Sequence, residues 1–100
     1  MPAYLIANTE EIFDLEGLRL YVERVVPLMA TYGGKYIISS FAIEQLEGAS
    51  PAPLAAAVAE FPSLERLRAF WASDEHAPLL KLRHRSMRVS LIIADVPAED

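Results

Sequence analysis

The run from Glu60 to His84 constrains the fold more than any other part of this chain, because three elements and their boundaries are written into it. Glu60-Phe61 closes an apolar stretch and Pro62 stops it. Ser63 is then placed to accept a backbone N–H as the N-cap of a helix with Leu64, Leu67 and Trp71 on one face. Ser73 reads as the cap of a second short helix, with Asp74 and Glu75 in a first turn where the helix dipole favours negative charge. That helix closes on Lys81, Arg83 and Arg85.

The rest of the chain supplies the partners. Ala3 to Ala7 is a β-prone apolar run, expected to end near Thr9 because Asn8 to Asp14 is polar and acidic. From Leu15 to Tyr32 the residues Leu18, Val22, Val25, Met29 and Tyr32 recur at helical spacing, with Glu16, Arg19, Glu23 and Arg24 opposite. Pro27 is expected to bend this helix or deform one turn, since proline lacks an amide donor and crowds the carbonyl four residues back. Gly33 is the natural left-handed residue after its last turn. Lys35 to Phe41 reads as a second strand continuing irregularly to Leu46, Gly48 to Pro53 as a turn, and Leu54 to Phe61 as a third strand. That strand is rich in alanine, a poor strand former that small-residue packing must hold. Met87 to Val96 completes the set, with the last four residues expected to fray.

The order β-α-β-β-α-β, with its second helical region broken at Ser73, predicts an α+β fold of the ferredoxin-like kind: a four-stranded antiparallel sheet with the helices on one face. Residues 1–100 are expected to form one domain. The other sheet face would expose Tyr4, Ile6, Ile38 and Val58 or their alternate neighbours, a larger apolar patch than a monomer tolerates. A second copy packed sheet to sheet would cover it. The 53% hydrophobic content, above the usual ~45–50%, agrees.

Composition removes several functions. A formal charge of −5 argues against a nucleic-acid partner, which needs a basic surface. No cysteine is present, so thiolate catalysis and thiolate metal sites are excluded. His76 and His84 lie eight apart without the spacing of a metal helix, and no glycine-rich phosphate loop follows a strand, so neither metal nor cofactor is expected. No apolar run approaches the ~18 residues of a membrane span and no leader pattern opens the chain, which makes the cytoplasm the expected location.

Taken together in order and spacing, Ala3 to Ala7, Asp14, Tyr21, Pro27, Tyr32 to Tyr36, Glu44 to Gly48, Glu60 to Leu64, Trp71, Ser73 and Leu82-Arg83 resemble the domain of unknown function 1330 family. That family lies within the dimeric α+β barrel superfamily. The resemblance covers nearly the whole chain. It implies a homodimer formed through the sheets and a cleft between sheet and helices that relatives use for small molecules, some of them as cofactor-independent monooxygenases or isomerases. Two departures bear on that cleft. Ser39 to Ala42 replaces a glycine-rich segment, and His76 stands where an aromatic residue is usual.

Seven residues are candidates for chemistry. His76 titrates near neutrality and is the natural acid–base group, although a helix-start dipole would favour its neutral form; the plainer alternative is a surface histidine in a place where aromatics pack. Glu60 would serve as a general base if desolvated, and more commonly such a residue anchors an arginine or a cap. Arg83 is expected to point inward, where it needs either a ligand carboxylate or an internal partner, Glu60 or Asp14, the commoner arrangement. Tyr21, Tyr32 and Tyr36 offer phenol groups to a ligand, and Trp71 a cleft wall, although all four also read as core residues. The cluster Lys81, Arg83, Arg85 and Arg88 reads as an anion patch or as the ordinary complement of a helix C-terminus. The expectation is a small-molecule-binding homodimer. Its alternatives are a cofactor-independent enzyme acting on a small aromatic or carbonyl compound, and a dimer with no ligand.

Overall fold

A computed structural model describes residues 1–96. Seven elements follow one another: β1 (Ala3–Ile12), α1 (Leu15–Thr31), β2 (Lys35–Ser40), β3 (Ala55–Phe61), α2 (Leu64–Trp71), α3 (His76–Ser86) and β4 (Met87–Asp95). The strands form one antiparallel sheet in the order β2-β3-β1-β4, the ferredoxin-like arrangement, with the apolar core between the sheet and the helices. The expected fraying of residues 97–100 lies outside the described residues.

Local chemistry sets the helix ends. Asp14 caps α1 by accepting from the Gly17 amide at 3.1 Å, and Ser63 caps α2 by accepting from the Arg66 amide at 3.1 Å. Gly33, at φ 81°, takes the left-handed conformation after α1 and lets the amides of Gly33 and Gly34 close on the carbonyls of Ala30 and Met29. Pro27 does not end α1, which runs on to Thr31. Pro27 and Glu23, whose carbonyl loses its amide donor, are both exposed, so water can satisfy that carbonyl.

Four sequence expectations are corrected. β1 runs past Thr9 to Ile12 through a bulge, because its acidic residues have partners across the sheet. Glu10 accepts from Arg88 Nε at 3.1 Å and Ser90 Oγ at 2.7 Å, and Glu11 pairs with Arg88 at 3.0 Å. β2 stops at Ser40 instead of continuing to Leu46. β3 begins only at Ala55, and the intervening loop is held by Gln45 Nε2, which donates to the carbonyls of Gly48 and Ser50. Ser73 does not cap α3. Its hydroxyl donates to the Phe70 carbonyl at 2.8 Å, closing the end of α2, and α3 starts without a side-chain cap.

α1 and α3 cross where Gly17 meets Ser86. A Cβ at Gly17 would run into the Ser86 side chain, whose hydroxyl donates to the Leu82 carbonyl at 2.7 Å, while the Ser86 carbonyl accepts the amides of Phe13 and Asp14. This close crossing fixes α3, and with it Arg83, against Tyr21 of α1.

Candidate functional site

The two faces of the sheet are told apart by register. Ala3, Leu5, Ala7 and Thr9 of β1 face the helices, opposite Phe61, Ala59, Ala57 and Ala55 of β3. At one end of this surface Phe61 packs with Phe70, Met29, Val25 and Leu67 into a solid core. At the other end Ala7, Ala55 and Ala57 present only methyl groups, and α1 cannot follow them down. A cavity of about 610 Å³ remains between α1 and this alanine floor, within the roughly 300–1,000 Å³ usual for small-molecule sites. The alanines of β3, unfavourable as strand formers, thus have a steric role that sequence propensity could not show. Ser39 and Thr9 also line the space, while the exposed Phe41, Leu15 and Val22 make an apolar rim with the exposed Arg19 and Glu23.

Arg83 reaches this cavity from α3, whose buried residues Leu79, Leu82, Arg83 and Ser86 form one helical stripe. Only 6% of Arg83 is exposed. Its Cζ lies 5.9 Å from the centre of the Tyr21 ring and 5.6 Å from that of Trp71, so the guanidinium sits against two aromatic faces. A long contact of 3.4 Å joins it to His84 Nε2. Among the described residues the ion pairs are Arg19–Glu16, Arg88–Glu10 and Arg88–Glu11, and none includes Arg83. Asp14 is engaged at the α1 cap. Two desolvated cation–π contacts return about 2 kcal/mol each at best, whereas burying an ion costs several kcal/mol. The expected internal carboxylate is therefore missing, and the rings only partly offset the burial.

Tyr21 is buried and Tyr36 half-buried, and both line the cavity with Arg83. Burial, reinforced by Tyr21 and opposed by Arg83, pushes the Tyr36 phenol well above its ordinary value. It stays protonated and remains a hydrogen-bond donor at any physiological pH. Trp71 does not line the space; it backs Arg83 instead.

His76 and Glu60 are not brought into the cavity. His76 is fully buried, its ring centre 4.6 Å from that of Phe70 and 4.8 Å from that of Trp71, where it packs as an aromatic residue. Its Nδ1 donates to the Trp71 carbonyl at 2.9 Å, leaving Nε2 buried without a hydrogen-bond partner among the described residues. Burial holds its pKa below the ordinary value, the Trp71 carbonyl pulls the other way, and Arg83 adds to the lowering. Neither a surface position nor an acid–base position in the cleft describes it. Glu60 faces the other side of the sheet, since its neighbours Ala59 and Phe61 face the helices. It lies opposite Tyr4 and Lys35, where partial burial and then the Glu60 carboxylate raise the Tyr4 phenol.

That other face carries an apolar row across all four strands, Ile38, Val58, Ile6 and Ile92, with the outermost two 54% and 60% exposed. Lys35, Glu60 and Tyr4 flank it on one side, and Ser40, Asn8 and Ser90 on the other. Among the described residues no group of three His, Asp or Glu side chains gathers as metal ligands would, and no helix is long and apolar enough to cross a membrane.

The sheet order and the cavity on its helix side define a ferredoxin-like α+β protein. Solved structures share the fold, three of them as follows. A protein of unknown function from Rhodopseudomonas palustris superposes with a TM-score of 0.79 at 16% identity, over 98% of this chain and 84% of its own. SnoaB, a cofactor-independent oxygenase from Streptomyces nogalater, superposes at 0.70 and 8% identity, over 98% and 95%. A dimeric protein of unknown function and ferredoxin-like fold from Bacteroides fragilis superposes at 0.57 and 12%, over 95% and 96%. No curated protein matches the sequence. The chain belongs to the family described as Domain of unknown function (DUF1330), whose model matches residues 2–97.

Proposed function

We propose that this chain is a homodimeric small-molecule-binding protein, each subunit holding a compact apolar ligand in the cavity between α1 and the sheet. The cavity itself carries the reading: about 610 Å³ floored by alanines, with the polar groups of Tyr21, Tyr36 and Arg83 on its wall. Larger side chains at Ala7, Ala55 or Ala57 would close it. The dimer is supported by the apolar row of the open sheet face, whose polar margins give it the centre-and-rim composition of an interface, and by the description of the Bacteroides fragilis neighbour as dimeric.

The likeness to SnoaB favours a second reading, a site that is catalytic without a cofactor. Arg83 and a tyrosine would then polarise a ligand oxygen, while His76 and Glu60, which do not line the cavity, would not act as its base.

The neutral fluorescent probe N-phenyl-1-naphthylamine tests the binding reading. One saturable site per chain is expected, lost in Ala57→Phe and retained in Ile92→Glu, which changes the open face and the dimer contact but no residue of the cavity lining. Absence of saturable binding, or binding indifferent to Ala57→Phe, would contradict it. Oxygen uptake by the protein with a bound aromatic compound separates the catalytic reading from the binding one.

A further inference from the structure

Arg83 adds a requirement that an apolar cavity does not by itself impose. We propose that the cavity's ligand is a compact apolar carboxylate, bound with its two oxygens on the Arg83 guanidinium and its apolar body over the alanine floor; this rests on the reading of the cavity as a ligand site.

Three observations converge on it. First, Arg83 is 6% exposed, lines the cavity, and among the described residues has no carboxylate partner. A guanidinium so placed presents a planar fork of N–H donors that a carboxylate matches in a bidentate manner. Second, the rings of Tyr21 and Trp71 lie 5.9 and 5.6 Å from its Cζ, so the side chain is restrained by its neighbours and little ordering remains to be done on binding. Tyr36, half-buried and lining the same cavity, carries a protonated hydroxyl, a hydrogen-bond donor.

Third, the charge of the lining selects a monoanion over a phosphate. Among the described residues Arg83 is the one buried cation in the cavity wall. Of the other charged lining residues, Arg19 is exposed and engaged with Glu16 at 3.4 Å, and Glu23 would repel a second negative charge. No glycine-rich loop supplies the array of amides that cradles a phosphate. The remaining lining, from Leu5, Ala7, Ala57, Met87 and Leu91, favours a ring or short branched body.

Equilibrium dialysis with 1-naphthoate and its neutral analogue 1-naphthamide tests this on the intact chain. The wild type is expected to hold the carboxylate at least ~10-fold more tightly than the amide, the scale of a charge-assisted pair. Arg83→Met should abolish the preference while keeping the amide, and Arg83→Lys, which retains charge without the fork, should fall between. Equal affinity of the wild type for the two probes overturns the carboxylate assignment and leaves the cavity reading intact. Failure of the wild type to bind either probe overturns both. Should Arg83→Met not fold, the wild-type preference and the Arg83→Lys result still decide.

Discussion

Replacing Arg83 by methionine should make the ligand-free protein more stable. The guanidinium is 6% exposed and lacks a carboxylate among the described residues, so folding bears the several kcal/mol cost of desolvating a charge. The contacts with Tyr21 and Trp71 return about 0.5–2 kcal/mol each, which leaves a deficit of roughly 1–3 kcal/mol. Methionine has a similar reach, carries no charge, and its thioether packs favourably on the same two rings, by about 0.3–1.5 kcal/mol. Arg83→Met is therefore expected to gain about 1–4 kcal/mol. For a domain of this size each kcal/mol moves Tm by about 4–8 °C, so a rise of at least ~4 °C should be seen. Urea denaturation and calorimetry at one fixed protein concentration measure it, the fixed concentration being needed because dimer formation shifts apparent stability. Adding 1-naphthoate at about 100 times Kd should stabilise the wild type by about 2.7 kcal/mol and the variant by much less. A loss of 2 kcal/mol or more in ligand-free Arg83→Met would refute the reasoning, because it would reveal a protein anion already neutralising the guanidinium.

His76 predicts a pH dependence. Its folded pKa is depressed, so the unfolded chain takes up the proton more readily. The stability it contributes is complete above the unfolded value near 6.5 and falls as the pH drops below it, by up to about 1.4 kcal/mol per pH unit. Urea midpoints between pH 5 and 7.5 should slope in the wild type and flatten in His76→Phe, and parallel profiles would contradict the assignment. The hydroxyls of Ser63 and Ser73 close the two ends of α2, so Ser63→Ala should cost about 0.5–2 kcal/mol and Ser73→Ala about 0.5–1.5, both read from denaturation midpoints. Ile92→Glu, placing a charge on the open sheet face, should convert a dimer to monomers in light scattering at micromolar concentration; a monomeric wild type would remove the dimer from the account.

The strand and helix order was legible because hydrophobic period and punctuation agreed at the boundaries that matter most: Pro62-Ser63 before α2 and Gly33 after α1 stand where their chemistry suggests. Ser73 misled because serine serves a helix start and a helix end with the same hydroxyl, and only the geometry shows which carbonyl or amide is nearer. Glu10 and Glu11 looked like the end of a strand because their partners, Arg88 and Ser90, lie far along the chain. Glu60 was open to correction from the sequence alone: strand alternation that buries Phe61 sends Glu60 to the other face. His76 was harder, since nothing in its neighbourhood shows that Phe70 and Trp71 enclose it. The cavity floor was hidden for a different reason. Ala7, Ala55 and Ala57 act by what they leave unfilled, and the alanine-rich strand was its one trace.

The most direct test of the account is a heteronuclear NMR titration of the labelled protein with 1-naphthoate, which locates binding residue by residue. The account predicts saturable shifts confined to the cavity lining, at Ala7, Ala57, Tyr21 and Tyr36 and at the Arg83 side-chain Nε–H, with Ile38, Val58, Ile6 and Ile92 on the open sheet face undisturbed. Shifts centred on that open face, or none at saturating naphthoate, would contradict it.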